Sequence, residues 1–594
     1  VRRLARALLV LTLIAVVAAA PVWPRFFLEL SVSGNYSTDG KWRPLLRLPV
    51  GVSSEVKTFE GLFKLHLPVL YPRKYSVHVD DCLAELSVNG QSFAEQGVPF
   101  CDFGKARVVS LHNYLKPGEN LIWFKAYNRG GVGGFDLRAS ARDWTLIFYW
   151  GLSILTVLLA LTLLSRITGL GKSHFPFMLV FALGYVLRLI YLFVTPYGLR
   201  GHDTEAHIQY IEHVLQHWTV PQASQGWQYY QPPLYYFLSA LWLKLSAWGG
   251  FSQAAGMFGL QVAAFILSLV ALAVSLALIA HSQRSRGDSS VSVAAGIFLA
   301  ALPSLVFFAS RINNDVLLQV LSLTALACFF CFLSDGASRY WWLGCCFTAL
   351  ALLTKTNAVI VAPLAVGALV LRSGFSWRRR LAFLLGGLAL VAALSAPYYR
   401  LRYEQPGGSA LVGNIGNLSD GLKIPNDRRF LITFNPFKVL EKPFNNAWED
   451  SFRRAYFWEY LYRSAFFGEF NFEPALHWLG SALLLLSFQF WPLFLIGLYR
   501  ALRSRWREGL FFLLAVLSAL VSHLALRLKA PYSCSQDFRY ITVVMLPVCY
   551  FLACGLNSLG SVWRGIFTYL AWSFAVLSTC FFLILYWQVP GNSF

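Results

Sequence analysis

A succession of apolar runs, most of them near the length of a bilayer crossing, constrains this chain more than any other feature. A helix needs about 20 apolar residues to span the hydrocarbon layer. Only helices or closed barrels satisfy every backbone group there. Runs of this kind cover 4–22, 144–165, 175–194, 253–281, 291–310, 315–333, 341–353, 357–371, 381–398, 477–499, 509–526, 540–556 and 565–587. They predict a polytopic α-helical membrane protein with about thirteen transmembrane helices. Charged residues are only 13% of the 594, about half the share of a soluble chain. Arg2, Arg3 and Arg6 at the start of the first run suit a signal peptide or an uncleaved anchor.

Lys and Arg in short loops mark the inner side of a membrane. Loops 166–174, 282–289, 334–340, 372–380, 500–508 and 557–564 all carry them. This pattern holds together only if the apolar stretch 233–248 does not cross. It is short, aromatic and bounded by Pro232-Pro233 and Gly249-Gly250, so it is expected to lie along the outer interface. Segments 24–143, 195–252 and 400–476 then face outside. The formal charge of +21 is accounted for by this topology and by anionic lipids or phosphate-bearing substrates, with no nucleic-acid partner.

Segment 24–143 has a different texture. Period-two alternation in Leu62-Phe63-Lys64-Leu65-His66-Leu67, Tyr75-Ser76-Val77-His78-Val79 and Leu121-Ile122-Trp123-Phe124-Lys125-Ala126-Tyr127 predicts strands. Asn89-Gly90 predicts a hairpin turn. Short strands at this spacing predict an extracytoplasmic all-β sandwich. Cys82 and Cys101 flank the hairpin and would pair in an oxidising compartment, whereas the other eight cysteines lie in or beside apolar runs as small packing residues. The order Val88-Asn89-Gly90, Leu115-Lys116-Pro117-Gly118-Glu119-Asn120, Tyr127-Asn128-Arg129-Gly130-Gly131 resembles galactose-binding-like jelly rolls of carbohydrate-active enzymes. That resemblance implies either glycan contact or a bracing role.

The residues suited to chemistry gather in the second outer segment, where Gly201-His202-Asp203-Thr204-Glu205-Ala206-His207 opens an amphipathic stretch. Acids and imidazoles beside hydrocarbon are costly and point to function. The same residues also suit a helix start, with Asp203 as cap, Glu205 complementing the dipole and His207 facing water. A divalent metal is compatible with His202, Asp203 and His207, though no residue pattern requires one. Tyr229-Tyr230-Gln231-Pro232-Pro233-Leu234-Tyr235-Tyr236 follows, and the same residues suit an aromatic belt. Further polar groups near the outer ends of spans are Arg311-Ile312-Asn313-Asn314-Asp315, Thr354-Lys355, Pro397-Tyr398-Tyr399-Arg400 and Asp537-Phe538-Arg539-Tyr540. Each also has a plainer reading as a span cap, a snorkelling cation or a local ion pair.

This ordered set, from about 175 to 551, resembles the GT-C superfamily of membrane glycosyltransferases. The nearest branch is that of protein O-mannosyltransferases and aminoarabinose transferases. The resemblance implies transfer of a sugar from a polyprenyl-phosphate donor to a glycan, lipid or protein acceptor on the outer face of the membrane. It implies inversion in one displacement with Asp203 as base. Lys355, Arg400 and Arg539 become candidates for the phosphate, and Glu205, His202, His207, Tyr230, Gln231, Asn314, Asp315 and Tyr540 for other substrate contacts. The branch also implies a bacterial inner membrane, with the β-domain in the periplasm. Where relatives carry Asp-Glu, this chain has Asp203-Thr204 with the acid moved to Glu205. The expected division is an N-terminal span at 1–23, a β-domain at 24–143, a span and inner loop at 144–174, a catalytic core at 175–399, an outer loop at 400–476 and C-terminal spans at 477–594. The alternatives are a polysaccharide polymerase or ligase, and a transporter or flippase for lipid-linked sugars.

Overall fold

In the computed structural model, the described residues are 33–139 less a few short loops, 175–195, 200–251, 253–283, 289–405 and 418–588. The expected spans at 4–22 and 144–165 lie outside them. The first described segment forms two antiparallel sheets. One has six strands in the order β2 (Lys41–Leu45), β1 (Ser33–Thr38), β4 (Thr58–Leu67), β9 (Gly118–Tyr127), β6 (Cys82–Val88) and β7 (Gln91–Ser92), and the other four in the order β3 (Val50–Val52), β10 (Gly133–Ala139), β5 (Lys74–Val79) and β8 (Arg107–Ser110). Strands β4 (Thr58–Leu67), β5 (Lys74–Val79), β6 (Cys82–Val88) and β9 (Gly118–Tyr127) cover the alternating runs read from the sequence. Their inward residues meet between the sheets, where Phe124 of β9 and Phe135 of β10 (Gly133–Ala139) stack at 3.7 Å. Asn89 and Gly90 both take positive φ, 52° and 81°, as a tight hairpin turn requires. Asn89 Nδ2 donates to Asn120 Oδ1 at 2.9 Å, and Asn120 also accepts from the Lys116 N–H at 2.9 Å. The first two segments of the motif order seen in sequence thus meet in one hydrogen-bonded corner. Cys82 and Cys101 are joined by a disulfide.

The remainder is helical and is that of a multi-pass integral membrane protein. Among the described residues seven helices are long and apolar enough to cross, or eight with one bent pair. Seven of the expected runs correspond to those helices. The run at 291–310 is instead broken, as Val293–Ala301 and Pro303–Ser310 meet at 60°. Pro303 has no N–H to donate and its ring clashes with the preceding turn, which ends the first helix. Two others are shorter than a full crossing, Ser338–Leu352 and Thr356–Leu371 with its 3-10 start, while the run at 175–194 is a helix of 20 residues, Phe175–Val194. The stretch at 233–248 is a 15-residue helix, Leu234–Trp248, which leaves Trp248 87% exposed.

The break is held by a buried cation. Arg188, on helix α1 (Phe175–Val194), donates to the carbonyls of Leu299 and Ala300 at 3.4 and 3.0 Å and to Ser268 Oγ at 2.7 Å. Those carbonyls lost helical partners where the chain turns, so the guanidinium replaces them. Arg188→Leu is expected to lower the thermal midpoint in detergent by several degrees, because it orphans buried oxygens at about 1–3 kcal/mol each. An unchanged midpoint would refute that role.

The two ends of the bundle differ. At one end Arg372 Nη1 donates to the Leu333 carbonyl, Arg505 Nη1 to that of Ser282 and Arg380 Nη2 to that of Arg372. These belong to the basic loops read as inner. Asp315, Tyr398 and Arg402 stand at the opposite ends of the helices Asp315–Asp335 and Trp377–Glu404.

Candidate active site

Helix α2 (Thr204–His217) begins directly after Asp203, which adopts a left-handed conformation with φ 54°. Aspartate tolerates this better than most residues. Its side chain makes no capping bond to the helix, so the capping alternative is not realised. The exposed carboxylate accepts instead from Trp227 Nε1, at 3.0 Å. The carboxylate is thus fixed from a second loop at a solvent-reachable helix start. Trp227→Phe is expected to slow turnover about tenfold with little change in KM, since it removes one charge-assisted hydrogen bond. An unaltered kcat would show that Trp227 does not position Asp203.

His202 turns the other way. Its Nε2 stands 3.3 Å from Asp537 Oδ2 and its Nδ1 3.7 Å from Glu469 Oε2, while its ring stacks on Phe470 at 4.9 Å. Burial, reinforced by Arg539, Arg311 and Lys355, pushes the imidazole well below its usual range. Glu469 accepts from Tyr460 OH at 2.5 Å. Burial first, then the nearby Asp537 charge, pushes its carboxyl up to about 8. One ligand atom each from His202, Glu469 and Asp537 lies within 4.8 Å of the others. An imidazole with two carboxylates suits a divalent ion such as zinc or manganese. Arg539 Nε, 3.5 Å from Asp537, competes for the same carboxylate.

His207 does not join this trio. It is buried, with Nδ1 2.8 Å from Tyr236 OH, and burial pushes it down to about 4. It therefore does not face water, and among the described residues neither His207 nor Asp203 belongs to a potential metal-ligand group. Glu205 is exposed on the first turn of α2.

The other predicted residues form a second polar layer. Lys355 Nζ donates to Asp315 Oδ1 at 2.5 Å, both side chains buried. The ammonium also lies 5.3 Å from the centre of the Tyr540 ring. Asn314 Nδ2 donates to the Thr354 carbonyl at 3.0 Å and to Gln231 Oε1 at 3.3 Å, which joins three loops. Arg539 Nη2 donates to Tyr540 OH at 3.0 Å. The Tyr230 carbonyl accepts from Tyr398 OH at 3.0 Å. Burial first, then Asp203, pushes the Tyr230 phenol upward.

Arg400 is not brought to the site: it is 81% exposed and paired with Glu404 one helical turn on. The buried arginine of that segment is Arg402, which donates to Tyr398 OH, Gln405 Oε1 and the carbonyls of Pro221 and Tyr229. Sequence reading missed Glu469 altogether. It sits in Gly468-Glu469-Phe470, inside a long loop with no periodicity to single it out. A lone acid between aromatic residues was the available signal.

Residues 231–399 match a family model described as dolichyl-phosphate-mannose-protein mannosyltransferase. The matched stretch of this chain is thus similar to a family of membrane mannosyltransferases. It holds Gln231, Asn314, Asp315 and Lys355, whereas Asp203, Glu469 and Arg539 lie outside it. No curated protein matches the chain. Among solved structures, ArnT from Cupriavidus metallidurans bound to undecaprenyl phosphate is similar at 15% identity and TM-score 0.41, over 67% of this chain and 62% of that one. The Archaeoglobus fulgidus oligosaccharyltransferase, in complex with zinc and sulfate, is similar at 15% identity and TM-score 0.39, over 68% and 52%. Arabinosyltransferase EmbB from Mycobacterium smegmatis is similar at 12% identity and TM-score 0.29, over 93% and 64%. The match spans less than two thirds of each of these chains, and with TM-scores this low no argument rests on them.

Proposed function

We propose that this protein transfers a sugar from a polyprenyl-phosphate donor to a hydroxyl-bearing glycan, lipid or protein acceptor at the outer face of the membrane. The observation that carries the reading is the placement of Asp203. Its carboxylate is exposed and accepts from Trp227, while its chain neighbour His202 reaches Asp537 and the Arg539 guanidinium beside it, with the Lys355 and Arg311 cations buried. A base that faces solvent beside buried cations suits an acceptor from water and an anionic leaving group from lipid.

In that reaction the acceptor oxygen attacks the anomeric carbon. The bond from that carbon to the phosphate oxygen breaks, and its electron pair stays on the phosphate. The acceptor proton passes to Asp203. Attack opposite the leaving group inverts the anomeric centre. Positioned cations stabilise the charge that grows on the phosphate. With basic loops at the far end of the bundle, this end faces the periplasm or its equivalent. The β-domain would stand on the same side and contact or brace a glycan acceptor.

Purified protein should release sugar from at least one member of a panel of polyprenyl-phosphate sugars, with polyprenyl phosphate as co-product. Mass spectrometry of both products checks this. Turnover of sugar nucleotides in place of lipid donors would overturn the donor class.

A further inference from the structure

The cations around the site differ in what already neutralises them. Lys355 is paired with Asp315 at 2.5 Å, and Arg539 lies 3.5 Å from Asp537. Arg402 is committed to hydroxyl, amide and carbonyl oxygens. Arg311 is unlike all of these. It is 3% exposed, its Nε has no hydrogen-bond partner, and among the described residues no carboxylate lies within ion-pair distance of it. Its guanidinium packs between two rings, 4.9 Å from the centre of Phe308 and 5.1 Å from that of Phe470. Arg200 repeats the pattern. Among the described residues its Nε and Nη1 lack partners, Tyr191 lies beside it, and its guanidinium lies 5.0 Å over Phe472. Asn313, 1% exposed, has both polar side-chain atoms unpartnered as well.

These groups belong to one place. Gln261 Nε2 donates to the carbonyls of Thr195 and Ser310, at 3.1 and 2.9 Å, and so ties the residue after α1 to the residue before Arg311. Phe470 carries Arg311 and also stacks on His202, the neighbour of Asp203. A buried guanidinium with open N–H groups is expensive unless an anion completes it. Aromatic walls keep water from doing so.

We propose that Arg311 and Arg200 form an anion subsite that takes the phosphate of the lipid carrier. Two planar forks on one anion match the several oxygens of a phosphate. Lys355 and Arg539, the cations expected from sequence to hold it, instead keep Asp315 and Asp537 in place. The assignment of the phosphate to a lipid rests on the donor class proposed above; the subsite itself rests on the unpartnered Arg311 Nε and Arg200 Nε and Nη1.

The test is binding of polyprenyl monophosphate, against the uncharged polyprenol, to purified protein in detergent, with inorganic phosphate as competitor. Wild type should prefer the monophosphate. Arg311→Gln should weaken that binding by about 10–100-fold, the loss expected for one charge-assisted contact, while leaving polyprenol binding unchanged. Arg311→Lys should recover part of it by restoring charge without the fork. Arg200→Gln, at a half-buried position, should weaken binding in the same direction and guards against a folding defect in the first variant. Monodisperse Arg311→Gln that binds the monophosphate like wild type would overturn the subsite. Inorganic phosphate binding as tightly as the lipid, and lost in Arg311→Gln, would overturn the lipid source. Arg311-dependent phosphate binding without sugar transfer from any donor would sink the transferase reading alone.

Discussion

Asp203→Asn is expected to lower sugar transfer by about 10²–10⁴-fold, the usual contribution of a positioned general base. Donor affinity should change little, because the amide keeps the size of the carboxylate and can still accept from Trp227 Nε1. The variant should also fold normally, since Asp203 is exposed and makes no capping bond to its helix. Single-turnover kinetics with a saturating lipid donor separate the chemical step from binding. Transfer at the wild-type rate would remove Asp203 from the mechanism. A loss accompanied by a matching loss of donor binding would make it a binding residue instead.

The second large effect concerns stability. Asp315→Asn should destabilise the protein by about 3–5 kcal/mol, because it leaves the Lys355 ammonium buried without its counter-charge. Lys355 is 7% exposed and Asp315 3%, so water cannot compensate either partner. The double change Asp315→Leu with Lys355→Met should cost much less than the single one, as a buried pair traded for apolar side chains often does. Thermal unfolding in one detergent across the three proteins reads this directly. Equal midpoints for wild type and Asp315→Asn would mean that the pair is solvated in the folded protein. The expected pattern is a stable but inactive double variant, which would separate holding the fold from serving the reaction.

Much of the architecture was legible in advance. Apolar runs report crossing helices because lipid offers no partner for a backbone group, so the pattern must be nearly continuous. Alternation reported β4, β5, β6 and β9 because a sheet buries every second side chain. Reading failed where a helix ends early for a local reason. The run at 291–310 looked like one span, yet Pro303 splits it and Arg188, over a hundred residues away, closes the break. The helix Ser338–Leu352 and the 3-10 segment Thr356–Val361 are separated by Leu353, Thr354 and Lys355, so Lys355 stands between the two apolar runs as read, and only the fold supplies its partner Asp315.

The site divides in the same way. Sequence alone determined the membrane class, the sandwich strands and the acid that opens α2, because each is written in local periodicity or in the cost of placing charge beside hydrocarbon. Tertiary structure alone decided which charges meet. It brought Glu469 and Asp537 to His202, sent Arg400 to solvent, and left Arg311 and Arg200 without a counter-ion among the described residues. Pairing depends on the distance and burial of groups far apart in the chain. No one-dimensional pattern encodes that, since the same arginine is a snorkelling side chain, an ion-pair partner or an open fork according to what the other helices place beside it.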